Sequence, residues 1–227
     1  MGQPLPAFTA VVFDMDGLLL DSERPVRDAW LQAAAVVGVP LSEADYLSVV
    51  GLNHLDSHAR MLTLFGNDTA SLAAARERAD ALIDGAAPFA VKPGARRLLD
   101  TLRHARIPCA VASSTHHAAV RRRLAGVGLL DRFVAVCGGD EVARGKPAPE
   151  LYQLALSRLG TTAERSVAFE DSGHGVQAAL AAGLATVAVP DLKAPAPEWL
   201  ARCLAVLPSL EAACERSPEW FGVICAG

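Results

Sequence analysis

Apolar positions recur along the chain with two different spacings, and the change between them divides the sequence into two parts. Over about residues 22–90 the apolar residues fall at helical spacing, and no good strand interrupts them. From residue 94 onwards, helical patterns alternate with short apolar runs that are typical of buried strands. The predicted strands of this part are 109–112, 133–136, 166–169, 186–189 and an edge strand near Val206, and the predicted helices are 94–106, 116–125, one starting over 145–150, 174–182 and 209–216. Such alternation favours a parallel sheet with helices on both faces.

The run at residues 10–13 predicts one further strand, which precedes the helical part. It is short and apolar, and it stops abruptly at Asp14, Asp16 and Gly17. We therefore predict an α/β fold: a Rossmann-like parallel sheet core over residues 1–21 and 91–227, with an inserted helical cap domain over residues 22–90. The hinges are expected near Asp21 and near residues 91–94, where the chain passes between the two parts.

Polar side chains follow the predicted strands, and a parallel sheet brings the ends of its strands to one edge. They are Asp14 and Asp16 after the first strand, Ser113, Ser114 and Thr115 after the second, Lys146 in a later loop, and Glu170 and Asp171 after the strand at 166–169. Carboxylates buried at this density are costly unless something positive lies between them. Because oxygen ligands suit Mg²⁺, the sequence predicts a magnesium site built from the four acids.

The same edge carries groups that suit phosphoryl transfer. Ser113 and the neighbouring backbone N–H groups start a helix, where phosphate oxygens bind readily, and Lys146 adds a positive charge. A carboxylate that attacks phosphorus forms an aspartyl phosphate. A second acid two residues later lies on the same side of the strand, so it can protonate the leaving group and then activate water.

Composition and charge narrow the range of partners. A formal net charge of −4 gives no basic surface, so we expect neither nucleic acid nor an anionic membrane as a partner. The five cysteines include no Cys-x-x-Cys pair and indicate reduced thiols. The N-terminus lacks a signal-peptide pattern, and no apolar run is long enough to span a bilayer. We expect a soluble, cytoplasmic monomer or weak homodimer that acts on a small phosphorylated metabolite.

Four short motifs stand at these strand ends and loops in a fixed order. They are Asp14-Met15-Asp16-Gly17, Ala112-Ser113, Gly145-Lys146-Pro147 with Pro149-Glu150, and Phe169-Glu170-Asp171-Ser172 with Gly175. Each motif is weak alone, but in this order, from residue 10 to about 190, they resemble the motifs of the haloacid dehalogenase-like phosphatases. The predicted helical insert, entered at Asp21-Ser22-Glu23, is similar to the cap of the subgroup that contains β-phosphoglucomutase and the sugar-phosphate phosphatases.

The resemblance implies a role for each residue. Asp14 would be the nucleophile and Asp16 the general acid and base, while Ser113 and Lys146 would grip the phosphate. Mg²⁺ would lie on Asp14, the main-chain carbonyl of Asp16 and Asp171, with Glu170 in or near its shell. Ser114 and Thr115 and, in the cap, Asn53, His54 and Arg60 are candidates for substrate binding. The expected substrate is a small sugar or polyol phosphate, with phosphoglycolate and nucleoside monophosphates left open.

Two positions depart from the pattern of the mutases. The mutases carry a histidine on the first cap helix where this chain has Val26, and an arginine in the cap loop where this chain has His54. Both changes favour a phosphatase over a phosphosugar mutase, which stays an alternative. A non-catalytic Mg-binding regulator is a second alternative, although it would be expected to lose Asp14 or Asp16. A dehalogenase is a third, but it would not need the metal that Glu170 and Asp171 indicate.

Several of these features also fit plainer explanations. Leu18 stands at a ligand position of an EF-hand and excludes one, and Gly145-Lys146 lacks the rest of a P-loop. Ser113, and Glu170 with Asp171, also fit as helix caps. We interpret the run from Arg121 to Arg123 as a solvated helix face, and the segment 218–227 as packing on the core.

Overall fold

The structure is a computed structural model that describes residues 8–50 and 54–225, and its centre is a six-stranded sheet. The strands are β1 (Ala10–Phe13), β2 (Leu20–Asp21), β3 (Ala90–Val91), β4 (Cys109–Ser113), β5 (Ala135–Gly138), β6 (Ser166–Glu170), β7 (Ala185–Ala188) and β8 (Ala205–Val206). Within the large sheet the order is β5-β4-β1-β6-β7-β8, and every pairing is parallel. The predicted Rossmann-like sheet is confirmed, and β1 occupies its middle.

The helices divide between the two faces of this sheet and a separate insert. They are α1 (Glu23–Val36), α2 (Glu43–Leu47), α3 (His54–Leu64), α4 (Thr69–Gly85), α5 (Ala95–His104), α6 (His117–Gly126), α7 (Glu150–Leu159), α8 (Gly173–Ala181), α9 (Pro197–Leu200) and α10 (Leu210–Phe221). Val11 and Phe13 of β1 pack in one apolar cluster with α5, α6 and α10. Val12, which points the other way, packs with α7 and α8. β1 is therefore covered on both faces, which explains its uninterrupted apolar run.

Helices α1 to α4 form an insert with its own apolar cluster. The cluster contains Ala33 and Ala75, from the two longest helices of the insert, together with Met61 and Phe65 of and just after α3. The chain enters the insert after β2 and leaves it through β3. These two short strands pair antiparallel, Leu20 opposite Val91, so both crossings lie side by side. The helical insert predicted for this region is thus present as a packed unit.

The C-terminal helix extends further than the sequence pattern suggested. α10 runs through Pro218 to Phe221, whereas the prediction ended it at residue 216. Trp220 is only 1% exposed and packs edge-on against Phe169 of β6, with 5.9 Å between the ring centroids. The interpretation that this segment packs on the core therefore holds as far as residue 225.

The bounds of one strand need correction, and three short elements were not predicted. β5 begins and ends two residues later than predicted, because Cys137 and Gly138 continue the ladder opposite Ala112 and Ser113. α7 starts at Glu150, the last residue of the range predicted for its start, with Pro149 as its N-cap. The pair β2–β3 and the single turn α9 were not predicted, since elements of two to four residues carry no detectable period. Among the described residues, no helix is both long and apolar enough to cross a membrane.

Candidate active site

The polar groups predicted at the strand ends meet around one cavity of about 370 Å³ at the carboxyl edge of the sheet. Its lining includes Asp14, Asp16, Ser113, Ser114, Lys146 and Asp171. Glu170 lies behind these lining residues and is fully buried. Residues separated by up to 157 positions in the sequence are neighbours here because β1, β4 and β6 lie side by side.

Lys146 joins two of the carboxylates. Its ammonium group donates to Asp14 Oδ1 at 2.6 Å and to Glu170 Oε1 at 2.5 Å, and all three side chains are less than a tenth exposed. The two carboxylates keep the pKa of Lys146 above its usual value despite burial. Burial raises the pKa of Asp14 well above its usual range, Lys146 opposes this rise, and Glu170 and Asp16 add to it.

Glu170 is held by protein donors on both oxygens. Tyr152 OH donates to Oε1 at 2.8 Å, and the backbone N–H and hydroxyl of Ser172 both lie 3.1 Å from Oε2. A Cβ on Gly175 would lie 1.8 Å from Oε1, so glycine is required beside this carboxylate. In this position Glu170 orients Lys146, and its place in a metal shell stays a prediction.

Asp171, the residue after Glu170, lines the cavity. Burial, together with the negative charges of Asp14, Glu170 and Glu23, raises its pKa well above the usual range. Gly17 leaves the space for it: the residue has φ +82°, and a Cβ there would lie 2.2 Å from Asp171 Oδ2. The turn after β1 therefore needs glycine both for its backbone conformation and for the approach of Asp171.

The buried acidic groups of the site outnumber the buried basic ones. Three buried carboxylates, Asp14, Glu170 and Asp171, face one buried ammonium group. When all three are ionised, two negative charges are uncompensated, which is why the pKa values of Asp14 and Asp171 are raised. A divalent cation fits that deficit. No group of three His, Cys, Asp or Glu side chains in the described part of the chain is placed to hold a metal ion by itself. A site on Asp14 and Asp171 would therefore need backbone oxygen or water as further ligands, which is compatible with Mg²⁺.

Asp16 faces four donors. Its Oδ1 accepts from Ser22 Oγ at 2.8 Å and from Arg123 Nη1 at 2.9 Å, and its Oδ2 accepts from Thr115 Oγ1 at 2.8 Å and from Ser113 Oγ at 3.2 Å. Arg123 therefore does not belong to a solvated helix face. Arg121 and Arg122 are exposed, but the side chain of Arg123 is only 21% exposed and points into the site.

The loop after β4 is held in a tight shape. Ser113 Oγ accepts from the backbone N–H of Thr115 at 3.1 Å, and Ser114 is exposed at the cavity. The β5 loop passes so close that a Cβ on Gly139 would lie 2.4 Å from the Ser114 carbonyl oxygen. The backbone of a loop fixed in this way, at the start of α6, is suited to anion binding.

The candidates in the insert are less well placed. Asn53 lies outside the described residues, and His54 begins α3. Arg60 donates to Ser48 Oγ at 3.0 Å, within the insert itself. Arg60 therefore has a partner inside the insert. A role for Asn53 and His54 in substrate binding stays a prediction.

One wall of the cavity comes from residues that the sequence did not indicate. His174 and Gln177, on α8, line it together with Leu192 to Ala196 and Trp199, and Glu23 lies near Asp171. The His174 Nδ1 atom is buried and has no hydrogen-bond partner among the described residues. Burial and the charges of Asp16 and Asp191 raise the pKa of Glu23 to about 7. Two of these residues had a signal in the sequence: Glu23 belongs to the Asp21-Ser22-Glu23 segment at the entrance of the insert, and His174 lies between Ser172 and Gly175 of the fourth motif.

A family model for haloacid dehalogenase-like hydrolases matches residues 8–183, which include β1, the insert and the fourth motif. The chain belongs to this family. It is a phosphoric monoester hydrolase of the subgroup that the motifs indicated, as its relatives show.

Two curated phosphatases are similar over most of their length. One is a phosphorylated carbohydrates phosphatase of Thermotoga maritima, 33% identical over 77% of this chain and 82% of the relative. The other is the fructose-1-phosphate phosphatase YqaB of Escherichia coli, 32% identical over 80% of this chain and 96% of the relative. Among solved structures, a mutant of CbbY from Rhodobacter sphaeroides in complex with xylulose-(1,5)bisphosphate has a TM-score of 0.75 at 29% identity and covers 90% of this chain and 95% of its own.

Proposed function

We propose that this enzyme hydrolyses the phosphate monoester of a small sugar or polyol, with Mg²⁺ and through an aspartyl phosphate on Asp14. The observation that carries the proposal is the buried bridge from Asp14 through Lys146 to Glu170, in a cavity that Asp171 also lines. It places one carboxylate beside a fixed positive charge, where an anionic phosphate can approach it. The names of the two curated phosphatases support a carbohydrate substrate.

Asp14 and Asp171, with the main-chain carbonyl of Asp16, are the groups that would hold Mg²⁺. When bound, the ion supplies positive charge for the phosphate oxygens and for the crowded carboxylates. With that charge present, Asp14 is ionised and able to act as a nucleophile, since its raised pKa in the present structure comes from burial among other acids.

The residues of the chain have separate roles in the two steps of the proposed reaction. Asp14 attacks phosphorus, and the bond to the leaving oxygen breaks as Asp16 gives that oxygen a proton. Water next loses a proton to Asp16 and attacks the phosphoryl group, which releases Asp14. Lys146, Ser113 and the backbone N–H groups after Ser113 hold the phosphoryl oxygens through both steps.

The helical insert is proposed to act as a cap over the cavity, with residues 1–21 and 91–227 as the catalytic core. Val50 of the insert lines the cavity, and its carbonyl oxygen lies 3.5 Å from Lys193 Nζ of the core. Such a cap excludes water during phosphoryl transfer. The paired strands β2 and β3 are the place where a hinge motion would occur.

The cavity suits a ligand of monosaccharide size. About 370 Å³ is at the small end of ordinary ligand sites. Its lining combines the polar side chains of His174 and Gln177 with the apolar side chains of Leu192 and Trp199. Polar groups on one wall can bind hydroxyls of the leaving group, while the apolar ones contact its carbon face. A phosphosugar mutase is less well supported, because Val26 on α1 offers no proton-transfer group.

The proposal is tested with purified enzyme, p-nitrophenyl phosphate and a panel of sugar, polyol, glycolate and nucleoside phosphates, each with Mg²⁺ and with EDTA. We expect release of phosphate from p-nitrophenyl phosphate and from at least one sugar phosphate, lost in EDTA. Asp14→Asn should abolish it, with an unchanged circular dichroism spectrum showing that the variant folds. Absence of hydrolysis across the panel, or full activity of Asp14→Asn, would overturn the proposal.

A further inference from the structure

We propose that Arg123 is the positioning residue of Asp16: it holds one oxygen of this carboxylate while the other is released to serve as general acid and base. The inference rests on the proposed function, since it assigns the proton transfers to Asp16. It starts from the ion pair between Arg123 Nη1 and Asp16 Oδ1, 2.9 Å long and 21% exposed on both sides.

The four donors around Asp16 divide between its two oxygens. Ser22 and Arg123 bind Oδ1, whereas Ser113 and Thr115 bind Oδ2. The hydroxyl groups on Oδ2 belong to the loop after β4, where phosphate is proposed to bind. When these hydroxyls turn towards a phosphate, they leave Oδ2, and the contacts on Oδ1 remain. Oδ2 is then free to exchange a proton with the leaving group and with water.

Arg123 is the only charged donor of the four, and its own position is fixed from outside the site. Its guanidinium group lies over the ring of Phe89, with 5.1 Å from Cζ to the ring centroid. Phe89 directly precedes β3, the strand by which the chain returns from the insert. A guanidinium group that lies over a ring and is also paired with a carboxylate has little freedom to rotate.

Helix α6 lies along this returning segment at two further points. Arg122 Nη2 is 2.9 Å from Asp84 Oδ1 of α4, and Gly126 lies close to Pro88. Asp16 is therefore connected to both crossings between core and insert: through Ser22 to the outgoing chain, and through Arg123 and Phe89 to the returning chain. A movement of the insert relative to the core would therefore change the contacts of Asp16.

The test compares two substrates that differ in their need for an acid. An alkyl phosphate, the best sugar phosphate of the panel, leaves as an alkoxide that needs a proton when its bond to phosphorus breaks. p-Nitrophenolate leaves without one. In Arg123→Met we expect kcat for the sugar phosphate to fall about 10- to 100-fold, part of what general acid–base catalysis supplies. The first turnover of p-nitrophenyl phosphate should change less than twofold and appear as a burst, because hydrolysis of the aspartyl phosphate still needs Asp16.

Arg121→Met is the matched control, since it removes a neighbouring exposed arginine of the same helix, one that pairs neither with Asp16 nor with the described residues of the insert. It should behave as the wild type. Arg123→Lys keeps a cation and should recover part of kcat, and Phe89→Leu should give a weaker form of the same selective loss.

Equal losses on both substrates in Arg123→Met, or no loss on either, would refute the role of Arg123. A wild-type enzyme that hydrolyses neither substrate would instead refute the proposed function. Melting curves report whether Arg123→Met is folded; if it is not, Arg123→Lys and Phe89→Leu carry the same comparison of the two substrates.

Discussion

Replacement of Glu23 by glutamine should make the metal-free protein more stable at alkaline pH. Glu23 lies in the cavity among Asp16, Asp191 and Asp171, and its pKa is raised to about 7 from a usual value of 4.5. The folded state therefore keeps the proton between these two values while the unfolded chain releases it. The stability that comes from this proton is fully present below pH 4.5 and is lost as the pH rises through 7.

The size of the effect follows from the two pKa values. Between pH 5 and pH 8 the wild type should lose about 2.5 kcal/mol of unfolding free energy through Glu23. Glutamine has nearly the same shape and no charge, so Glu23→Gln should not show this part of the loss. Relative to the wild type, the variant should gain about 2.5 kcal/mol over this range, and a gain of that size is large against the total stability of a domain.

Urea unfolding in EDTA, followed by circular dichroism at pH 5, 6, 7 and 8, measures the difference directly. Glu198→Gln is the control, because it changes an exposed glutamate of α9; its curve should run parallel to that of the wild type. Saturating Mg²⁺ should shrink the gain of Glu23→Gln, since a cation near Asp171 favours ionised Glu23. Parallel curves for Glu23→Gln and the wild type in EDTA would refute the reasoning.

Three further predictions concern the packing of the core and the contacts at the site. Gly175→Ala should lower the free energy of unfolding by roughly 1–3 kcal/mol, because its Cβ would overlap the Glu170 carboxylate. Gly145→Ala is the control, since its Cβ meets open space and should leave this free energy nearly unchanged; urea unfolding measures both. Trp220→Ala should cost about 3–5 kcal/mol in the same assay, and a value below 1 kcal/mol would contradict the packing of α10 on the sheet. Because His174 lines the cavity, His174→Ala should raise KM for a sugar phosphate about fivefold, the effect of one hydrogen bond, and leave KM for p-nitrophenyl phosphate unchanged. Equal changes for both substrates would argue against a contact with the leaving group.

The main outline of the fold was predictable because it depends on patterns that are local in sequence. A buried strand such as β1 and a helix such as α1 each carry their own period, and alternation of the two kinds specifies a parallel sheet. Boundaries were less predictable where the ladder decides them. β5 extends to Gly138 because β4 offers partners there, and nothing in the run around Phe133 states that.

The sequence by itself determined which residues stand at the strand ends, and hence Asp14, Lys146 and Asp171 as the candidates for chemistry. Only the tertiary structure decided which partners surround the residues of the site. It showed that both oxygens of Glu170 accept from protein donors, and that Arg123, which the sequence placed on a solvated helix face, pairs with Asp16. The reason is physical. Strand ends are fixed by periodicity and topology, whereas the direction of a side chain and its partners depend on how distant elements pack, and no local pattern encodes that.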